Sequence, residues 1–348
     1  MRTILTDRQT DRQTDRQTDR QTDRQTDRLS KENTDGLKGI LAICVLIHHL
    51  YQYSGLLQTS ILHVFLQAFG YLSVAEFLFL SGYGLTVSHE KKGNNYIREF
   101  PKKRILPFYI VIIVVTVCYL VKLFLCNEIF DGFLLIKSVT FGGTIVKGGW
   151  YLQVQLLLYV FWFLIYRSRM LDSKKPRVFW GVALTYCIVM GILGYPTTWY
   201  EGALAFPCGI LWANHRQQID RRFSSTKKWM LYVVLLLISF GGAFVLSVGL
   251  PAGLLRIVVK ILSALLFVGL ATTWVNRVPV RSKILKWIGT ISLEMYIMQF
   301  VFLLLFNGQR LNPNNPYAYV LCVTISTVIA SAGLKPAVDA IYRICGKF

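Results

Sequence analysis

From residue 37 onward the chain is a succession of apolar runs separated by short polar stretches. Ten runs stand out, at 37–57, 62–87, 105–125, 150–166, 178–194, 199–214, 229–249, 254–275, 287–306 and 317–342. Most approach the length of about 20 residues that a helix needs to cross the hydrocarbon core of a bilayer. The pattern predicts an all-α protein, a multi-pass transmembrane bundle of about ten spans. The weakest run is 199–214, which is short and contains Pro207.

Charge supports this division. Loops 88–104, 167–177, 215–228 and 276–286 are rich in Lys and Arg, whereas the intervening loops are poorer in both. With Arg343 and Lys347 after the last run, every second connection is basic. The positive-inside rule then sets both termini in the cytoplasm. The net charge of +20 arises wholly after residue 36, because residues 1–36 hold 8 basic and 8 acidic side chains. Such an excess suits nucleic acid, but here it lies in short loops beside apolar runs. It is read as a topology signal facing anionic lipid, with the bilayer as partner and no nucleic acid.

Residues 7–26 are five copies of Asp-Arg-Gln-Thr, followed by a truncated sixth. The repeat has nothing apolar to bury and stacks like charges four residues apart, so residues 1–34 are expected to be a disordered low-complexity tail. The tail has no apolar core of a signal peptide and also resembles a translated short DNA repeat. The membrane domain is expected over 35–348. The seven cysteines show no CxxC pair or metal-ligand spacing and are read as small hydrophobes.

The chemistry concentrates in the first run, D-G-L-K-G-I-L-A-I-C-V-L-I-H-H-L-Y, residues 35–51. Lys38 and His49 are 11 residues apart. This is about three helical turns, so both share a face about 16 Å apart, with His48 about 80° away. Ionisable groups inside an apolar helix point to chemistry or a wet cavity, against the alternative of a neutral His bonded in the bundle interior. Glu76, inside the second run, needs a partner, and a histidine of the first run is a candidate that would tune the imidazole as a base. The same run ends F-L-F-L-S-G-Y-G-L, where Ser81, Gly82 and Gly84 admit close approach of either a helix or a ligand. Lys102, Lys103 and Arg104 precede the third run and suit either a phosphate-bearing ligand or lipid headgroups.

Further along, Trp150 opens the fourth run as an interface anchor, and either Gln153 or Gln155 is positioned to face a cavity. Glu201 is expected at the outer mouth as an exposed interfacial carboxylate, with contact to a sugar hydroxyl as the alternative. Lys260 is a true intramembrane charge unless it snorkels. Glu294, Tyr296 and Gln299 form a polar stripe on the ninth run.

These strings, together with K-K-R-I-L-P-F-Y, G-W-Y-L, F-P-C-G-I-L-W-A and I-S-L-E-M-Y-I, resemble acyltransferase family 3, over about residues 35–345. The family's first-helix signature is Arg, ten residues, His. Lys38 and His49 keep that spacing with Lys in place of Arg. The Arg-x-x-Arg element ahead of the third run keeps Arg104, with Pro101 at its first position, and Gln299 stands where a His is common. The resemblance implies a bacterial cell-membrane enzyme that transfers an acyl group, commonly acetyl, from cytoplasmic acyl-CoA to a hydroxyl of an extracytoplasmic glycan. Acyl-CoA would be a donor substrate, with no permanently bound cofactor and no metal. His49, with Glu76 and His48, forms the candidate catalytic set. Lys38, Arg104, Lys103, Ser81, Tyr83 and Trp150 form the candidate substrate-binding set. No Gly-x-Ser-x-Gly elbow or Walker loop competes. A transporter without covalent chemistry and a structural or sensory bundle remain as alternatives, and no internal repeat favours the former.

Overall fold

The computed structural model describes residues 28–60, 62–129, 131–141, 145, 147–307 and 311–345. These residues form helices and their connections, with no strand among them. In order they are α1 (Lys31–Ser54), α2 (His63–Lys92), α3 (Asn94–Phe100), α4 (Leu106–Leu125), α5 (Gly132–Phe141), α6 (Trp150–Arg167), α7 (Lys175–Ile192), α8 (Ala205–Phe223), α9 (Thr226–Gly249), α10 (Leu254–Arg277), α11 (Lys283–Thr290), α12 (Ser292–Asn307) and α13 (Pro316–Cys345). A π-helical turn, Pro101–Ile105, joins α3 to α4, and a 3₁₀ turn, Thr197–Trp199, precedes α8.

Every predicted run contains helix, though not over its whole length, and the membrane-crossing property is narrower than expected. Among the described residues, five helices are long and apolar enough to span: α2, α3–α4 as one rod, α9, α10 and α13. A sixth arises if α11 and α12, bent by 75°, count as one. The other four runs fall short for identifiable reasons. Lys38, His48, His49 and Gln52 interrupt α1. Helices α6 and α7 have 18 residues each, with cations inside their ends, and the second half of α8 is polar. The spanning helices carry large apolar side chains outward, among them Val234, Leu237, Ile238 and Val245 on α9. A helix apolar all round needs an apolar solvent, so the chain is a membrane protein.

Three boundaries depart from expectation. Helix α1 starts at Lys31, capped by the Ser30 hydroxyl, and Leu29 is already buried, so ordered structure begins before residue 35. The repeat itself lies outside the described residues. Residues 200–204 form turns, and α8 runs from Ala205 to Phe223 rather than over 199–214. Pro207 sits in its first turn, where no intrahelical N–H bond is required. The ninth run is broken at Ile291 instead of forming one helix.

Glycine decides the closest packing. A Cβ on Gly39 would lie 1.9 Å from the Leu285 carbonyl oxygen, and one on Gly289 1.8 Å from that of Asp35, so α1 and α11 touch backbone to backbone. Gly82 and Gly209 do the same for α2 and α8, at 2.2 Å from Phe206 O and 2.1 Å from Phe79 O. Of the small residues in the second run, Gly82 therefore serves helix packing. The α1–α11 contact also carries an ion pair between Glu32 and Lys286, and the ammonium holds the Glu32 carboxyl below its ordinary value.

Candidate functional site

Two polar regions lie at opposite ends of α1. The first is a basic cleft with two lobes, of about 430 Å³ and about 670 Å³, which share Lys31, Lys38, Ser81, Arg104 and Tyr159. Lys103 lines the smaller lobe and Tyr83, Lys91 and Lys92 the larger. The cleft thus gathers Lys38, Lys103, Arg104, Ser81 and Tyr83 from three separate helical segments. The π turn is what brings Lys103 and Arg104 to its wall. The Arg104 guanidinium donates from Nε to the Tyr96 hydroxyl at 2.9 Å, and its carbon lies 5.9 Å from that ring's centroid. Lys38 pairs with Asp35 at 3.1 Å, one turn back, and Lys103 with Glu99 at 2.6 Å. Ser81 donates to the Phe77 carbonyl at 2.9 Å.

The sequence reading missed part of this cleft. Lys335, on α13, lines the smaller lobe and pairs with Glu294 at 3.4 Å and with Asp339 at 3.3 Å. The break between α11 and α12 presents Gly289, Thr290, Ser292 and Glu294 to the same lobe. Broken helix at membrane depth is tolerated where it lines a cavity. On α6, Tyr151, Gln155 and Tyr159 form an i, i+4, i+8 stripe along that wall. Gln155 is the member of the Gln153/Gln155 pair that faces the cleft. It is 2% exposed, and neither its amide nitrogen nor its oxygen has a partner among the described residues.

The second region is a cavity of about 240 Å³ that holds His48, His49 and Trp150. His48 Nδ1 lies 2.9 Å from the Leu66 carbonyl oxygen. A carbonyl only accepts, so Nδ1 carries the proton and Nε2 is the basic nitrogen. His49 Nδ1 is 3.2 Å from Gln52 Oε1, and Gln52 Nε2 in turn donates to Gln67 Oε1 at 3.5 Å. That relay sets the same tautomer on His49 and leaves its Nε2 free to take a proton. The two imidazole centroids are 4.8 Å apart, and Phe300 lies 4.6 Å from the His49 ring. Gly70 makes room for His48, since a Cβ there would lie 2.6 Å from the ring's Cδ2 and Nε2.

Glu76 is not a histidine partner. Its carboxylate accepts from Thr272 Oγ1 on α10 at 3.0 Å, and it is fully buried away from either cavity wall. Glu201 departs from expectation in the other direction. It is 2% exposed rather than interfacial, and it lines the histidine cavity together with Lys260, whose ammonium lies 2.7 Å from one carboxylate oxygen. The turns at 200–204 fold this segment back into the bundle, a signal that apolar periodicity does not carry.

The cleft and the cavity meet at an aromatic partition. Tyr151 lines the former and Tyr296 the latter, with ring centroids 4.7 Å apart. Tyr296 donates to the Gly148 carbonyl at 3.2 Å. The arrangement pairs an anion-attracting mouth with a neutral, proton-accepting imidazole pair, which suits group transfer to a poor nucleophile.

Neither the curated proteins nor the solved structures contain a match to this chain. Residues 32–335 match the family model described as an acyltransferase domain, and the chain belongs to that family, acyltransferase family 3, as a membrane acyltransferase.

Proposed function

We propose that the protein is an O-acyltransferase of the bacterial plasma membrane. It moves an acyl group, most simply acetyl, from cytoplasmic acyl-CoA to a hydroxyl of an extracytoplasmic glycan. The observation that carries this reading is the placement of Lys38 in the basic cleft and of His49 in the other cavity, on one helix. Eleven residues of α-helix set them about 16 Å apart, on the scale of a substrate bound at one end and reacting at the other. CoA brings phosphates, which cations hold, and a thioester, which an alcohol attacks only with help from a base. The basic loops support a cytoplasmic cleft under the positive-inside rule.

In this mechanism Lys38, Arg104, Lys103 and Lys335 hold the phosphates at the inner mouth, and Ser81, Tyr83 and Gln155 line the donor's path. His49 Nε2 takes the proton of the acceptor hydroxyl as its oxygen bonds to the thioester carbonyl carbon. The C–S bond then breaks, and the imidazolium returns its proton to the departing thiolate. His48 buttresses the His49 ring, and Trp150 forms part of the acceptor-side wall.

The test uses purified protein in proteoliposomes with labelled acyl-CoA and surface glycan from the producing strain. Wild-type protein is expected to release CoA thiol and label the glycan, and His49→Ala to lose at least about 100-fold of that rate. Full activity in His49→Ala would remove His49 from the chemistry. Sugar counterflow without thiol release would replace the enzyme with a transporter.

A further inference from the structure

The ion pair of Glu201 and Lys260 sits in the wall of the histidine cavity, and the chemistry above gives it no role. Burial of such a pair is costly unless its remaining hydrogen-bonding capacity is used. Here it is not used within the protein. The Lys260 ammonium lies 2.7 Å from Glu201 Oε2, yet neither carboxylate oxygen has a hydrogen-bond partner among the described residues although the side chain is 3% exposed. Lys260 is held from its other side by the Tyr71 ring, whose centroid is 4.7 Å from the ammonium. The carboxylate is therefore held by Lys260 and left short of hydrogen-bond donors, in the same small cavity as His49.

The surroundings continue the polar surface outward. Gln67, Tyr71 and Lys260 also line a second, wider groove of about 510 Å³, where Thr197, Ser247 and Arg256 add further donors and acceptors. A buried oxygen that lacks a donor, beside a base that needs an alcohol, fits a ligand with more than one hydroxyl.

We propose that Glu201, set in place by Lys260, is the acceptor subsite. Its unsatisfied carboxylate accepts hydrogen bonds from a hydroxyl neighbouring the one that His49 deprotonates, so the site takes a polyhydroxyl compound, a carbohydrate, and its outer part lies in the adjoining groove. This rests on the acyl-transfer reading and adds the residue that selects the acceptor over water.

The experiment compares two readouts on the full chain in proteoliposomes: CoA thiol release without acceptor, where water takes the acyl group, and acyl transfer to surface glycan from the producing strain. Glu201→Gln is expected to lower transfer to glycan more than tenfold further than it lowers thiol release, with the KM for acyl-CoA within threefold of wild type. Because Glu201→Gln leaves Lys260 without a counter-charge, the double variant Glu201→Gln/Lys260→Met is measured beside it. The double variant relieves the charge imbalance and is expected to regain thermal stability but not glycan transfer. Recovery of glycan transfer in the double variant would make the pair a structural counter-ion and overturn the subsite. Equal losses in both readouts for Glu201→Gln would do the same. Wild-type protein that neither releases thiol nor labels glycan would instead fail the acyl-transfer reading itself.

Discussion

Replacing Gly70 by alanine tests whether the histidine cavity is built to position its rings. The added Cβ would lie 2.6 Å from His48 Cδ2 and Nε2 and 3.1 Å from Cε1. Carbon contacts settle near 3.5–4.0 Å, so the ring must recede by about 1 Å. It has little freedom to do so. Its Nδ1, across the ring from the Cδ2–Nε2 edge that meets the new methyl group, is tied to Leu66 O at 2.9 Å, so a shift of that size distorts or breaks this bond. The His49 ring lies 4.8 Å away between centroids, in contact with the ring that must move, so the displacement reaches the proposed base. Overpacking costs about 1–3 kcal/mol and the lost hydrogen bond about 1 kcal/mol, so destabilisation of about 2–4 kcal/mol is expected. A misplacement of about 1 Å at a reacting group lowers the rate by about 100-fold. Thermal unfolding of the purified protein reads the first effect, and CoA thiol release in proteoliposomes the second. Gly241→Ala, on α9 with open space around its Cβ position, is the control and should lose neither. A Gly70→Ala protein with wild-type stability and a rate within threefold of wild type would refute the placement of these rings.

Other outcomes follow from the same geometry. Lys38→Met and Arg104→Gln should each raise the KM for acyl-CoA by about tenfold or more, the worth of one charge-assisted hydrogen bond, with a smaller effect on kcat. Steady-state kinetics over a range of acyl-CoA concentrations decides this, and an unmoved KM would mean that the basic cleft does not hold the donor. Glu76→Gln keeps an acceptor oxygen for Thr272 and should retain activity within a few-fold, whereas Glu76→Ala should destabilise by about 1–3 kcal/mol. A loss above 100-fold in a stable Glu76→Gln protein would return Glu76 to the catalytic set. Gly289→Ala forces α11 off the Asp35 carbonyl and should cost about 3 kcal/mol or more, read as a drop in unfolding temperature; unchanged unfolding would contradict the backbone contact.

The helices were legible in the sequence because apolar length and loop charge are local properties. Each of the ten runs contains helix, and even the flawed one, 199–214, whose first residues form turns, contains most of the apolar part of α8. What could not be read was anything that depends on a partner. Glu76 looked like a companion for a histidine because both are polar groups in apolar runs, yet α10 supplies Thr272 at the necessary spot. Glu201 looked interfacial because it stands at the edge of a run, yet the chain folds back there and meets Lys260, 59 residues later. Lys335 gave no signal, since only the packing of α13 brings it beside Glu294. The Lys38–His49 spacing was readable for the opposite reason: both residues sit on one rigid helix, and a helix turns sequence separation directly into distance.

That spacing explains why a partition belongs between the two regions. A membrane enzyme that joins an inner substrate to an outer one has to admit an acyl chain without leaving a continuous water path, which would hydrolyse the thioester and leak protons. Tyr151 and Tyr296 meet between the cleft and the cavity, one ring on each wall. Both come from helices that also supply site residues: α6 gives Gln155 to the cleft and Trp150 to the cavity, and α12 gives Glu294 to the cleft. Movement of either helix therefore changes the partition and the site walls together. In the acyl-transfer reading, the arm of the donor has to displace these rings to bring its carbonyl to His49, so access and alignment become one event. A donor too short to part the rings would bind at the basic mouth and remain unreacted, which ties turnover to the presence of a full-length thioester arm rather than to phosphate binding alone.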